Sequence, residues 1–214
     1  MIATRQTVRR RFKPGTTGWT AADLDDPRIE ALWERGRYEI VEGVLTRMPA
    51  AAHYDPGFAL SGLLEVTVAA IRASDPRARF VSEVDVIVGD RRVPKVDALY
   101  LSPRDREEQK SANAKLARGS RKKLKYGRVL IPPTLIIESL SRGHEDHDRI
   151  TKRKWYAEMG VPNYWLFNYF ERSIECLVLE GGEYRVDASG KGDEEVRPGA
   201  FPGLVIPLAT LWAE

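Results

Sequence analysis

The chain has 214 residues, 43% of them hydrophobic and 30% charged, with a formal net charge of +3. That length suits one domain with a single core, and no stretch approaches the ~18 uninterrupted apolar residues of a membrane span. Arg5, Arg9, Arg10 and Arg11 have no apolar run behind them, so the N-terminus does not read as a secretory signal. The single Cys176 forbids an internal disulfide; within Ile174 to Leu179 it reads as a small buried hydrophobe in a reducing, cytoplasmic setting.

The modest net charge hides an asymmetry. Residues 1–13 carry +5, and residues 104–128 carry ten Lys or Arg against three acids, or +7, leaving −9 for the remainder. An acidic body with two basic segments suggests a polyanionic partner, with Arg121, Lys122, Lys123 and Lys125 as its densest contact. A solvated basic loop is the alternative.

In chain order, residues 1–19 read as a flexible basic arm. Thr20 to Trp33 reads as a helix capped by Thr20, with Asp23 three residues on. Tyr38 to Met48 reads as a hairpin turning at Glu42-Gly43. His53 to about Arg72 reads as a long helix, with Leu60, Leu63, Leu64, Val68 and Ile71 near helical spacing. Phe80 to Val88 alternates with period two, and Val96 to Leu101 is the next strand.

Residues 102–129 turn polar and basic and read as a partly helical edge insertion. Leu135 to Leu140 is a fully buried strand. His144 to Met159 is a helix capped by Gly160. Asn163 to Phe167 and Ile174 to Leu179 are further strands, a Gly181-Gly182 hairpin follows, and Leu204 to Ile206 closes the chain. The expected fold is α/β, a central mixed sheet flanked by helices, in one domain over residues 20–214.

Two acids stand out in this pattern. Asp97 and Glu138 each sit in a short apolar run bounded by proline, where a carboxylate is costly unless paired. A divalent metal ion is one such partner. Two strand-borne carboxylates followed by a helix carrying Lys152 can build a metal-dependent phosphodiesterase site. The ordinary alternative is a solvated strand end or a salt bridge. His144, Asp148 and Lys152 share a helix face by spacing, so an exposed Asp148–Lys152 pair also accounts for the lysine. His144-x-x-His147 lacks a second pair for zinc, and His53 reads as a helix-start polar residue. No Gly-x-Ser-x-Gly or phosphate-loop motif is present.

Several segments together carry a resemblance: Tyr38-Glu39-Ile40-Val41-Glu42-Gly43, Lys95-Val96-Asp97, Pro133 to Ser141, Asp148-x-x-x-Lys152-x-x-x-Tyr156 and Gly160 to Trp165. Their order and spacing resemble the Uma-two family of restriction endonuclease-like proteins, within the PD-(D/E)XK nuclease superfamily. The resemblance covers roughly residues 20–180 and 200–212. It implies a restriction-endonuclease-like sheet and hydrolysis of DNA phosphodiester bonds with Mg²⁺ or Mn²⁺.

By that resemblance Asp97 and Glu138 are the two strand acids and Glu42 the third. A carbonyl near Ser139 completes the ligands, and Lys152 replaces the lysine that the family's superfamily carries where Leu140 stands. Ser141-Arg142-Gly143-His144 departs from the family's usual Ser-Pro-x-Thr, and Asn163 and Asn168 stand where acids are common. DNA is the implied partner, and a homodimer is the assembly to test for. Two rival readings stay open: a nucleic-acid-binding module whose chemistry has lapsed, and an interaction domain docking through its basic segments.

Overall fold

The structure is a computed structural model that describes residues 12–48, 54–119 and 127–212, without the side chains of 117–119. Arg121, Lys122, Lys123 and Lys125, most of the N-terminal arm, and His53 lie outside the described residues. The described residues form two compact units. One gathers those of Met1–Ala51, Asp85–Lys95 and Ala112–Leu130; the other gathers those of Ala52–Val84, Val96–Ser111 and Ile131–Glu214.

In the first unit the expected opening helix is two elements. Thr20 and Asp23 form a capping box, the Thr20 amide and hydroxyl both donating to Asp23 Oδ2, over a 3-10 turn at Ala21–Asp25. Asp26 is extended because Pro27 follows it, so a fresh helix α1, Pro27–Trp33, starts there. Strands β1 (Tyr38–Val41) and β2 (Val44–Arg47) pair as the expected hairpin. Glu42 and Gly43 both take positive φ, 48° and 79°, as a tight turn that matches strand twist requires. Trp19, Leu24, Ile29, Trp33, Ile40, Leu45 and Val93 form this unit's core. Asp85 is buried beside it, accepting from Trp33 Nε1 at 2.8 Å and pairing with Lys95 Nζ at 2.8 Å.

The six-stranded sheet runs β3 (Phe80–Asp85), β4 (Lys95–Tyr100), β5 (Leu135–Ser139), β6 (Asn163–Asn168), β7 (Ser173–Glu180) and β8 (Glu183–Lys191), in that spatial order. The β5–β6 pair is parallel; β4–β5, β6–β7 and β7–β8 are antiparallel, so the sheet is mixed as expected. β6 is buried at all six positions, as a central strand covered on both faces should be.

Period-two alternation sorts the second unit's side chains between two layers. Ala98, Tyr100, Leu135, Ile137, Trp165, Phe167, Ile174 and Cys176 join Ala59, Leu63 and Ile71 of helix α2, Tyr54–Ile71, in one core. Cys176 is fully buried there, and burial pushes its thiol well above the ordinary range. Residues of the intervening positions face a helical segment made of a π-helical turn, His147–Lys152, running into an α-helix at Arg153–Met159. Tyr156 meets Tyr164 edge-on, with ring centroids 5.1 Å apart. Gly160 caps that helix in the left-handed conformation.

The polar segment after β4 is a helix, α3, Pro103–Gly119, started by a reciprocal cap: Ser102 N donates to Asp105 Oδ2, and Asp105 N donates to Ser102 Oγ. The chain closes with two short strands, β9 (Glu195–Val196) and β10 (Ile206–Pro207). Among the described residues no helix is long and apolar enough to cross a membrane.

Candidate active site

β4 and β5 pair with Tyr100 opposite Leu135, Leu99 opposite Ile136 and Ala98 opposite Ile137. One step further along that register sets Asp97 opposite Glu138. Ala98 and Ile137 belong to the core beneath α2. Alternation therefore turns Asp97 and Glu138 to the other face, towards the π-helical turn. Two acids 41 residues apart meet because one antiparallel register brings them together.

The carboxylates are anchored across the strands rather than left to repel. Asp97 Oδ2 accepts from the Ser139 amide at 2.8 Å, and Glu138 Oε2 accepts from the Asp97 amide at 3.4 Å. Glu138 is 1% exposed, so its charge needs further partners. Its Oε1 accepts from the Tyr156 hydroxyl at 2.8 Å and from Lys152 Nζ at 3.1 Å. Lys152 is itself buried, and its Nζ lies 3.1 Å from Asp148 Oδ1. One ammonium is thus shared between two carboxyls. Removing it would leave buried charge uncompensated, a change that costs about 3–5 kcal/mol in comparable pairs.

The Asp148–Lys152 pair expected from spacing is present, but it is buried where a solvated pair was the alternative. His144 precedes the helical segment and is exposed, so only two of the three expected face-mates are brought together. The helical segment is π-wound over this stretch, a distortion that recurs at functional sites. Burial pushes the Asp148 carboxyl above its ordinary range; the Lys152 ammonium pulls it back down and the Asp97 charge adds to the rise. Tyr164, whose hydroxyl donates to the Asp148 carbonyl at 3.0 Å, is held well above the usual phenol range by burial and by Glu138 and Asp148.

Of the expected site residues, Asp97, Glu138, Ser139 and Lys152 come together in the second unit. Glu42 belongs to the first unit, where its Oε1 accepts from Arg92 Nε at 2.7 Å and its side chain is 56% exposed. Sequence reasoning gave Asp148 only an exposed pair with Lys152, and Tyr156 only a place in the motif that carries the resemblance. Spacing held the signal: Tyr156 lies one further turn beyond Lys152, on the side that Lys152 buries. It also passed over Glu39, a fully buried acid of the first unit that accepts from the Lys95 amide at 3.1 Å.

Among the described residues no group of three or more His, Cys, Asp or Glu could hold a metal ion. That leaves Asp97 and Glu138 as a two-carboxylate donor set of hard oxygens. Mg²⁺ commonly binds through one or two carboxylates, with waters and substrate phosphate oxygens completing its shell. The Lys152 ammonium is shared by Glu138 and Asp148, while Asp97 is held by the Ser139 amide, and that surplus of acid suits a divalent cation.

Two carboxylates on adjacent strands thus meet a lysine from the following helical segment. The Uma2 family, described as "Putative restriction endonuclease", matches residues 28–209, and the chain belongs to that family. Among solved structures it is similar to a crystal structure described as a "putative nuclease belonging to DUF820" from Anabaena variabilis. The TM-score is 0.57 at 18% identity, over 81% of this chain and 88% of the other. At that identity the likeness speaks to the fold. No curated protein matches the chain.

Proposed function

We propose that the protein is a divalent-metal-dependent DNA endonuclease. The observation that carries this reading is the buried cluster in which Asp97 and Glu138 face each other across β4 and β5 while Lys152 contacts Glu138. Asp97 and Glu138 would hold the ion, with the Ser139 carbonyl as a further donor. Bound there, Mg²⁺ or Mn²⁺ would polarise the phosphodiester and supply an activated water. Lys152 would carry the remaining work of neutralisation; its Nζ lies 3.1 Å from the Glu138 carboxylate that would hold the ion. The Tyr156 hydroxyl and the Ser139 amide orient the two carboxylates. The reading does not depend on Glu42.

The basic stretch Arg121, Lys122, Lys123 and Lys125 supports a contact to the DNA backbone. Each lost phosphate contact flattens the log–log salt slope by roughly 0.9 on duplex DNA, so replacing all four with alanine should weaken binding and flatten the slope.

The function is tested by incubating supercoiled plasmid with the protein and Mg²⁺, Mn²⁺ or EDTA. Nicked or linear product with either ion, none with EDTA, and none from Lys152→Met are expected. Equal cutting by Lys152→Met, or cutting in EDTA, would contradict it. Salt-sensitive binding with no cutting in either ion would favour a lapsed module.

A further inference from the structure

Beyond the carboxylates, β5 and β6 run on side by side into two loops. Ser139 pairs with Phe167, and the Leu140 amide donates to the Phe167 carbonyl at 2.8 Å. Arg142 lies three residues past Ser139, and Phe170 lies three residues past Phe167. Three residues of chain span at most about 11 Å. Both side chains therefore stand close to the strand ends that carry the candidate site, on the carboxyl side of a parallel pair, where open α/β sheets place their ligands.

There the two side chains stack. The Arg142 guanidinium carbon is 4.2 Å from the centroid of the Phe170 ring. Phe170 is 39% exposed and Arg142 is exposed. Among the described residues Arg142 enters no ion pair, and its guanidinium lies over the ring. Phe170 is presented by a stiff turn. Asn168 Oδ1 accepts from the Glu171 amide at 3.2 Å, the Arg172 amide donates to the Tyr169 carbonyl at 3.1 Å, and Tyr169 packs edge-on against both Phe170 and Trp212. An exposed ring on a fixed turn, paired with a cation that no carboxylate claims, is a surface suited to a flat, negatively charged ligand. A nucleotide is both.

We infer that Arg142 and Phe170 form a subsite for an unpaired nucleobase of the substrate strand, close along the chain to the reacting phosphate. On binding, Arg142 leaves the ring face to the base, which stacks on Phe170 in its place, and engages the adjoining phosphate. Bases inside a duplex present no free face, so the subsite selects single strands, flaps, frayed ends or a flipped nucleotide over continuous duplex. The inference rests on the nuclease reading and adds the substrate's secondary structure to it.

The test is binding in EDTA, where nothing is cut, read by fluorescence anisotropy. The probes are a single-stranded oligonucleotide, the same strand with consecutive abasic sites, and a blunt duplex. The wild type should prefer the strand with bases. Phe170→Ala should weaken that binding about ten- to a hundredfold, with little change on the abasic strand or the duplex. Phe170→Trp should retain it. Arg142→Lys keeps the charge but loses the plane, and should fall between the wild type and Arg142→Ala.

Equal losses on all three probes, no loss in Phe170→Ala, or no binding by the wild type would overturn the subsite. Thermal melting of each variant excludes a folding defect as the cause. Base-dependent binding without cutting in any metal would leave the subsite standing and sink the nuclease reading. Cutting without base dependence would do the reverse.

Discussion

The Asp97 carboxylate takes the backbone amide of Ser139 at 2.8 Å, and the Glu138 carboxylate returns the contact to the amide of Asp97 at 3.4 Å. Each acid therefore fixes the strand that carries the other. Charge-assisted hydrogen bonds of this kind stabilise an ionised carboxylate without a cation. Asp97→Asn and Glu138→Gln keep the shape but halve the charge available to a metal. Each should lower the rate of DNA cutting by at least about a hundredfold, while the melting temperature stays within a few degrees of wild type. Circular dichroism melts beside a plasmid assay check this; a variant that cuts normally would remove that acid from the site.

Lys152 leans on Glu138, the carboxylate that would also hold the ion, and Asp148 shares the ammonium. Asp148→Asn should leave Lys152 more tightly held by Glu138, and so weaken Mn²⁺ binding severalfold. In a Lys152→Met background the same substitution should change Mn²⁺ affinity little, because Asp148 acts through the ammonium. Equal weakening in both backgrounds would mean that Asp148 attracts the ion directly.

How much of this site was legible in the sequence turns on individual residues. Asp97 and Glu138 stood out because acids in apolar, proline-bounded runs are conspicuous, and their pairing followed from strand order. Lys152 was reachable through helix spacing from Asp148. Its burial was not, because exposure depends on which face the helical segment lays on the sheet, and a π-wound turn shifts that face in a way no local pattern records. The role of Tyr156 stayed hidden for the same reason, since it is both a core aromatic and a hydrogen-bond donor to Glu138. The split of the opening helix was readable in principle at Asp26-Pro27, where the capping signal of Thr20 drew attention to the earlier turn.

Away from the site, Asp75 is buried and held by Arg106, Nη1 to Oδ2 at 2.8 Å and Nη2 to Oδ1 at 2.9 Å, with the Tyr100 hydroxyl donating at 3.0 Å. The Arg106 hydrogen bonds hold the Asp75 carboxyl below its usual range against the opposing effect of burial; burial and Asp75 together push Tyr100 up to about 12. A depressed carboxyl contributes stability that is complete at neutral pH and is lost as pH falls through its folded-state value, below about pH 4. Asp75→Asn should lower the neutral-pH melting temperature by several degrees and flatten its dependence on pH below about 4. A variant with an unchanged acid limb would show that other carboxyls set it.

The hairpin of the first unit needs glycine at position 43. Its φ is +79°, and a Cβ there would come within 2.5 Å of Arg91 Nε. Gly43→Ala should destabilise the protein by about 1–2 kcal/mol from the backbone conformation alone. Denaturant unfolding measures this, and a neutral effect would mean that the turn rearranges.

The carboxylate pair as a metal site is tested most directly by isothermal titration of Mn²⁺ into wild type, Asp97→Asn, Glu138→Gln and Lys152→Met. One ion should bind the wild type, binding should be lost in both carboxylate variants, and Lys152→Met should still bind Mn²⁺ while failing to cut DNA. Equal Mn²⁺ binding by the wild type and both carboxylate variants, or no binding by the wild type, would contradict the account.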